Sequence, residues 1–353
     1  MKKFDICLPR REVLLKGGAG VLGLFIGCAT LNRAGAQQPN IKNIKANLKA
    51  LRMGDFNPNY ATQWSYRLAH ALGYFKEVGI EELNVTVSDQ YMPGLIGGSL
   101  DITHGDTDAF LSSGAQSGLP IKMISLYRDK EWWIMGVRKG IEKPEDLKGK
   151  KITGGSLDGR NTWVMRQVLT KMGLNPDKDV EFVPMSGASD RRLQALLAGT
   201  VDAASLFPRH EAGLKAGGGK FLYQNLTLAP QEGFGALGSW LSKNEDTAYA
   251  WAIADVKARR WLFNPANKDQ AYKIMRDLGF SIPPAFEAQY KLELDQLSPD
   301  GGFESAKVMD EFVASLAETG DVPKGLDWRK YVDMKYVWAA QEANGLPRRP
   351  ASL

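Results

Sequence analysis

Two hydrophobic periods alternate along the chain. "LNVTVSD" (83–89) and "VEFVPM" (180–185) alternate apolar and polar positions and are rich in β-branched residues, which predicts strands. "WSYRLAHALGYFKEVGI" (64–80) and "TWVMRQVLTKMGL" (162–174) place apolar residues at helical spacing. In the second, Val164, Val168 and Met172 lie a turn apart, with Gly173 placed to end the helix.

These elements recur in the same order. "LRMGDFNPN" (51–59) and "KKITGGSLDG" (150–159) each read as a short strand running into a Gly/Asn/Asp-rich turn. "LIGGSLDITHGDTDAF" (95–110) and "LLAGTVDAASLFPRHE" (196–211) share two apolar residues, a small pair, a small polar residue, an apolar residue and an aspartate. Asp101 and Asp202 are 101 positions apart. Each repeat therefore predicts strand, turn, helix, strand, helix, strand, a βαβαβ unit that requires a parallel sheet with right-handed crossovers. Two such units make two α/β lobes, with ligands expected beyond the carboxyl ends of the strands.

The remaining sequence joins and covers these units. "IKMISLYRDKEWWIMGVRKG" (121–140) and "GALGSWLSKN" (235–244) are expected to cross between the lobes, outbound and returning. Helical spacing continues over 246–263, 267–279, 303–320 and 328–343, and these helices are expected to pack back on the first lobe. The expected division is residues 48–131 with 235–345 for lobe 1, and 132–234 for lobe 2. Hinge motion is expected near 128–134 and 232–238.

Residues 1–36 have the layout of an export signal and stand outside this pattern. Lys2, Lys3, Arg10 and Arg11 precede an uncharged stretch from Gly17 to Leu31, and "AGA" (34–36) offers a cleavage point after Ala36. "PRREVLLK" (9–16) is similar to a twin-arginine signal, with its lysine displaced one place by Leu15, which leaves Sec export open. "FIGC" (25–28) resembles a lipoprotein box through Cys28, although Phe25 fits it poorly and "AGA" is the better exit.

Processing after Ala36 changes the chemistry available. Both cysteines, Cys7 and Cys28, lie in the signal, so disulfides, thiolate metal sites and cysteine nucleophiles are not expected in the mature chain. The full chain carries a formal charge of +5; the signal holds six basic and two acidic residues, leaving +1. That balance gives no reason to expect nucleic-acid or anionic-membrane binding.

"GGSLDGRNTW" (154–163) is the stretch most suggestive of chemistry. A phosphate loop needs a lysine directly before Ser or Thr at the helix start, and none follows these glycines. A nucleophile elbow needs glycine two places after Ser156, where Asp158 stands, and a histidine base. His70 falls inside an expected helix, while His104 and His210 stand near strand ends as hydrogen-bonding residues. Asp106 and Asp108 form a D-x-D pair without the other ligands of a calcium loop, so neither metal nor cofactor is expected. What remains is an anion cup. A helix N-terminus presents unpaired N–H groups, Ser156, Asn161 and Thr162 add side-chain donors, and Arg160 could offer a planar fork to a carboxylate or sulfonate. Capping of that helix by Asp158 or Asn161 is compatible with this reading. Tyr60, Trp64, Trp132, Trp133, Phe207 and Phe234 fall at expected strand exits, where aromatic walls for a cleft are anticipated.

"LAHALGYFKEVGI", "LIGGSLDITHGDTDAFLSSGAQSGLPIKMI", "KPEDLKGKKITGGSLDG" and "RRLQALLAGTVDAASLFPRHEAGLKAGG" together resemble the periplasmic solute-binding proteins of ABC importers, nitrate/sulfonate/taurine type. The resemblance covers residues 48–260 and, more loosely, the rest. It implies a two-lobed type II periplasmic binding fold, with a ligand held at the hinge cleft and delivered to an inner-membrane permease. It also implies a monomer in the periplasm. Arg160 and the aromatic set point to a small organic anion, a sulfonate or carboxylate, with an aromatic one among the options. Carried over by position, the ligand-contacting turns correspond to Asn59 and Tyr60, Asp106 and Thr107, Ser156, Asn161 and Thr162, and Phe207. A thiamin-pyrimidine synthase of the same fold depends on a cysteine-rich motif, which the mature chain lacks. A secreted enzyme acting on a small carboxylate is the alternative of a different class.

Overall fold

The computed structural model describes residues 43–55, 64–88, 90–185, 189–282 and 284–353; the expected export signal, both cysteines, Asn59 and Tyr60 lie outside the described residues. The first unit runs β1 (Ala50–Asp55), α1 (Ser65–Ala71), α2 (Tyr74–Glu77), β2 (Glu82–Val87), α3 (Tyr91–Ile96), β3 (Ile102–Asp106) and α4 (Thr107–Ser117). The long strand β4 (Ile121–Val137) leads into the second unit. There β5 (Lys150–Thr153), α5 (Arg160–Lys171), β6 (Val180–Phe182), α6 (Ser189–Leu197), β7 (Ala203–Ser205) and α7 (Glu211–Ala216) follow. The equally long β8 (Lys220–Leu237) returns. The chain ends in α8 (Gly238–Lys243), α9 (Glu245–Leu262), α10 (Lys268–Asp277), α11 (Pro284–Leu294), α12 (Ala306–Thr319) and α13 (Lys335–Ala343).

Among the described residues the strands form one eight-stranded sheet in the order β2-β1-β3-β8-β4-β7-β5-β6. β1 pairs in parallel with β2 and β3, and β5 in parallel with β6 and β7, as the repeat predicts. Each trio is closed by an antiparallel neighbour, β8 beside β3 and β4 beside β7. β4 and β8 pair with each other from Ile121↔Leu237 to Val137↔Lys220, so the same two strands run through both halves. Register shifts interrupt this ladder between Met123 and Lys130. Pro230 sits between the paired residues Leu228 and Glu232, where a missing N–H costs no regular ladder bond.

The repeated aspartates have the same structural task in both halves. The Asp101 N–H donates to the Arg52 carbonyl at 2.8 Å, and its carboxylate accepts from the Arg52 N–H at 2.9 Å. Asp202 does the same with Lys151, at 2.7 and 2.8 Å. Each also takes an arginine Nε, from Arg52 at 3.1 Å and from Arg138 at 2.6 Å. These two-way clamps pin the entry into β3 against β1 and the entry into β7 against β5, which accounts for the motif without a ligand.

Apolar clusters cover both faces of each half. Leu51, Met53, Trp251 and Tyr336 lie in one cluster and Met123, Phe312 and Val337 in another, so α9, α12 and α13 pack on the first half. Smaller clusters around Val164, Val168 and Ala203, and around Leu196, Ala204 and Leu214, fill the second.

Several boundaries differ from the pattern-based expectation. The 64–80 helix is broken at Gly73, whose φ of +80° lies outside helical space. The return strand lies upstream of 235–244, because pairing with β4 carries strand structure through 220–237, and 238–243 is helix α8. Trp328–Tyr331 form a 3₁₀ turn and the last helix starts only at Lys335, since Val332 bridges to Met123 in between. Helix α11 was not expected from periodicity.

Candidate functional site

The turn after β5 is shaped by two glycines. A Cβ on Gly154 would lie 2.4 Å from the backbone N and Cα of Thr162, so only glycine lets the chain fold back onto the first turn of α5. Gly155 follows with φ +123°, a conformation that side chains resist. The Thr162 hydroxyl donates to the Ser156 carbonyl at 2.6 Å and ties the loop to the helix. Gly159 precedes α5 in extended conformation, no side chain caps the helix, and its first turn holds no acidic residue. Neither Asp158 nor Asn161 caps it, contrary to the simplest reading of the sequence.

This uncapped end borders a cavity of about 570 Å³. Its lining combines the turn (Gly154, Gly155, Ser156, Gly159, Arg160, Asn161) with Pro184 and Met185 beyond β6 and Arg192 from α6. The first-turn N–H groups and the positive end of the helix dipole therefore meet a space large enough for a small solute.

Two arginines flank the cavity in different states. Arg160 Nη1 donates to Ser315 Oγ at 2.7 Å and Nη2 to Glu131 Oε2 at 3.2 Å, while its guanidinium stacks 4.4 Å from the Trp163 ring centroid and 5.1 Å from that of Phe312. Its fork, expected to meet a ligand, joins α5 to α12 and β4. The Trp163 indole adds a bond to Glu318 at 2.8 Å. Arg192 is only 4 % exposed; its Nε donates to the Ser205 carbonyl at 2.8 Å. Burial, then the Arg209 charge, lowers its pKa to about 10.

The other residues singled out in the sequence fall elsewhere. Trp64 is 2 % exposed, donates its backbone N–H to the Tyr127 hydroxyl at 2.8 Å and meets Tyr272 edge-on at 5.6 Å, inside the first-half core rather than on a wall. Thr107 is buried with its hydroxyl on Met123 Sδ. Thr162 lies buried behind Ser156. Phe207 packs beside Arg209 and His210, at 4.8 and 6.1 Å. Asp106 ends β3 opposite Glu232; burial, with the Glu232 and Asp108 charges, raises its pKa to about 7.

The histidines do not serve Ser156. His70 is half-exposed on α1. His104 is fully buried, with Nδ1 3.5 Å from Asp55 and Nε2 3.4 Å from Glu232, which itself lies 3.1 Å from Arg128. Although burial opposes the charged imidazole, the two carboxylates raise its pKa to about 9. His210 contacts Asp190 at 2.9 Å, and burial together with Arg209 lowers its pKa to about 4.

Sequence reasoning missed Arg192, and a signal for it existed. Ser189, Arg192 and Leu196 form the buried face of α6, so an arginine stands on the apolar stripe of an amphipathic helix. Pro184 and Met185 carried no comparable signal.

The parallel trios closed by two long shared strands, with a cavity at the carboxyl end of β5, define the type II periplasmic binding fold. Residues 62–223 match the NMT1/THI5 like family. Over 278 residues the chain is 26% identical to YtlA of Bacillus subtilis (strain 168), described as a binding protein, covering 75% of this chain and 82% of that one. The periplasmic sulfonate-binding protein SsuA of Methylobacillus flagellatus KT superposes with a TM-score of 0.65 at 18% identity, covering 85% and 96% of the two chains. The periplasmic nitrate-binding protein NrtA of Synechocystis PCC 6803 gives 0.62 at 15%, covering 87% and 93%. The fold is shared with an enzyme as well: the desulfurization enzyme DSZB superposes at 0.57 with 14% identity, over 83% and 99%.

Proposed function

We propose that the protein is an extracytoplasmic receptor that captures a small organic anion, a sulfonate or carboxylate, and hands it to an ABC import permease in the inner membrane. The observation that carries this reading is the open cavity at the uncapped N-terminus of α5, where backbone N–H groups and a buried arginine converge. YtlA, SsuA and NrtA support it as binding proteins. In this reading the exported protein is a periplasmic monomer without catalytic activity. Residues 48–131 with 235–345 form one lobe and 132–234 the other.

Capture requires a ligand that touches both lobes, because a solute with equal affinity for open and closed states shifts nothing. The β4–β8 ladder supports a hinge, since its register shifts between Met123 and Lys130 interrupt the only strands common to both halves of the described sheet. Ser156 and Asn161 would hold the ligand from the second lobe, and Arg160 reports closure through Ser315 on α12. Native mass spectrometry of protein isolated from its host is expected to find a co-purifying organic anion. Small-angle scattering with that anion is expected to show contraction; unchanged dimensions at saturation would count against the reading.

The fold shared with DSZB favours a second reading, a secreted enzyme acting on a small carboxylate in the same cleft. Ligand recovered intact after prolonged incubation, with a raised melting temperature, decides for the receptor.

A further inference from the structure

We infer that Arg192, rather than Arg160, is the charge partner of the bound solute, and that it receives the carboxylate or sulfonate head of an organic anion whose apolar part lies over Pro184 and Met185. This rests on the receptor reading above.

The two guanidinium groups at the cavity differ in what they have left to offer. Both terminal nitrogens of Arg160 are engaged, one by a hydroxyl and one by a carboxylate, and its faces are covered by Trp163 and Phe312. Arg192 is anchored through Nε on the Ser205 carbonyl. Among the described residues no hydrogen bond or ion pair occupies its Nη1 or Nη2. The nearest acid in sequence, Asp190, contacts His210 and acts on Arg192 only through its charge, without a hydrogen bond to it. A buried guanidinium without a direct ion-pair partner is costly to keep, and a neutral residue of similar volume would fill the space at less cost. The energetic deficit is removed once an anion enters.

The surroundings direct such an anion to one place. Arg192 Nη1 is 3.7 Å from the point where a Cβ on Gly155 would stand, so the missing side chain leaves the guanidinium edge open toward the turn. Across the cavity stand Asn161 and the uncapped start of α5, which supply N–H donors and positive potential with no acid in the first turn of the helix. Arg209, held by Ser189 at 2.6 Å, adds a second positive charge near Arg192. An arginine edge matches two oxygens of a carboxylate or sulfonate in one plane. Pro184 and Met185 give the remainder of the molecule an apolar surface, which a bare inorganic anion cannot use.

The test is calorimetric titration of the full chain with benzoate, benzenesulfonate and inorganic phosphate, before and after substitution. The unaltered protein is expected to bind an organic probe at least tenfold more tightly than phosphate. Arg192→Gln is expected to weaken that binding about 100-fold, and Arg192→Lys, which keeps the charge and loses the fork, about tenfold. Arg166→Gln, which removes the same charge where Asp177 pairs with it on the outer side of α5, is expected to stay within twofold. Without ligand, Arg192→Gln is expected to melt no lower than the unaltered protein, a result that a purely structural arginine would not give. Retention of affinity within threefold by Arg192→Gln would overturn the inference. So would phosphate binding as tightly as the organic probes. If the Gln variant does not fold, Arg192→Lys decides, and unaltered affinity there overturns it. Failure of the unaltered protein to bind any of the three sinks the receptor reading of this cavity together with the inference, an outcome distinct from tight binding that survives loss of Arg192.

Discussion

The two halves place opposite chemistry at positions that the sheet makes equivalent. Met53 pairs with Ile102 and Gly54 with Thr103 in the first half, as Ile152 pairs with Ala203 and Thr153 with Ala204 in the second. One residue further on, the first half has Asp55 and His104, and the second has Gly154 and Ser205. Asp55 and His104 fill their strand ends with a buried network that takes in Tyr66, Arg67 at 3.1 Å and Glu232 on β8. Gly154 and Ser205 occupy no such volume; the Ser205 carbonyl anchors Arg192 and the space beyond stays open. The same backbone thus supports an internally neutralised strand end in one half and an unneutralised one in the other. Internal compensation consolidates a fold, whereas an open, uncompensated site is available to a ligand.

The contrast can be broken most severely at Asp55. Asp55→Ala removes a buried carboxylate from His104, Arg67 and Tyr66, and is expected to cost about 3–5 kcal/mol in urea unfolding. A loss under 1 kcal/mol would show that the network contributes little. Gly154→Ala, which forces a methyl against the Thr162 backbone, is expected to cost about 1–3 kcal/mol and to abolish solute binding by displacing the turn. Normal affinity in that variant would separate the turn from the site.

Acidity sharpens the same comparison. The folded-state pKa of His104, about 9, lies above its ordinary 6.5, so its stabilisation is complete below about pH 6.5 and is lost as pH rises through 9. Asp106, raised to about 7 from 3.8, acts in the same direction at lower pH: between about pH 4 and 7 the unfolded chain ionises this carboxyl while the native state keeps it protonated, so stability falls across that window. Melting temperature is therefore expected to fall from pH 7 to pH 10, and Asp55→Asn to flatten that decline. An unchanged slope in the variant would remove His104 as its source.

The smallest difference is expected where the halves agree. Asp101→Ala and Asp202→Ala break matching clamps and should each cost about 1–2 kcal/mol, with Asp202 at the lower end because it is more exposed. Unequal losses of several kcal/mol would show that the repeat is not energetically symmetric.

Much of the fold could be read directly from the chain. The 2.0 and 3.6 periods, the duplicated aspartate motif and the order of elements imply two βαβαβ units, and the ladders around β1 and β5 follow that order. Boundaries were less legible where distant pairing outweighed local preference, as in β8, which extends through Pro230 because β4 supplies its ladder. Of the residues lining the cavity, Gly154, Ser156 and Asn161 were legible from glycine-rich turn chemistry before a helix.

The roles of the two arginines were not legible in that way. Arg160 stands at a helix start, where local sequence suggests a ligand, yet Ser315, 155 residues away, takes one of its donors. Arg192 stands on an apolar stripe, where local sequence suggests burial, and among the described residues no carboxylate forms an ion pair with it, although the Asp190 charge acts on it from a distance. Sequence alone determines periodicity, turns and duplication because these depend on neighbours a few residues apart. Which charge is neutralised within the protein and which is left for a solute depends on which distant surfaces meet, and only the tertiary packing of α12, β4 and α6 decides that.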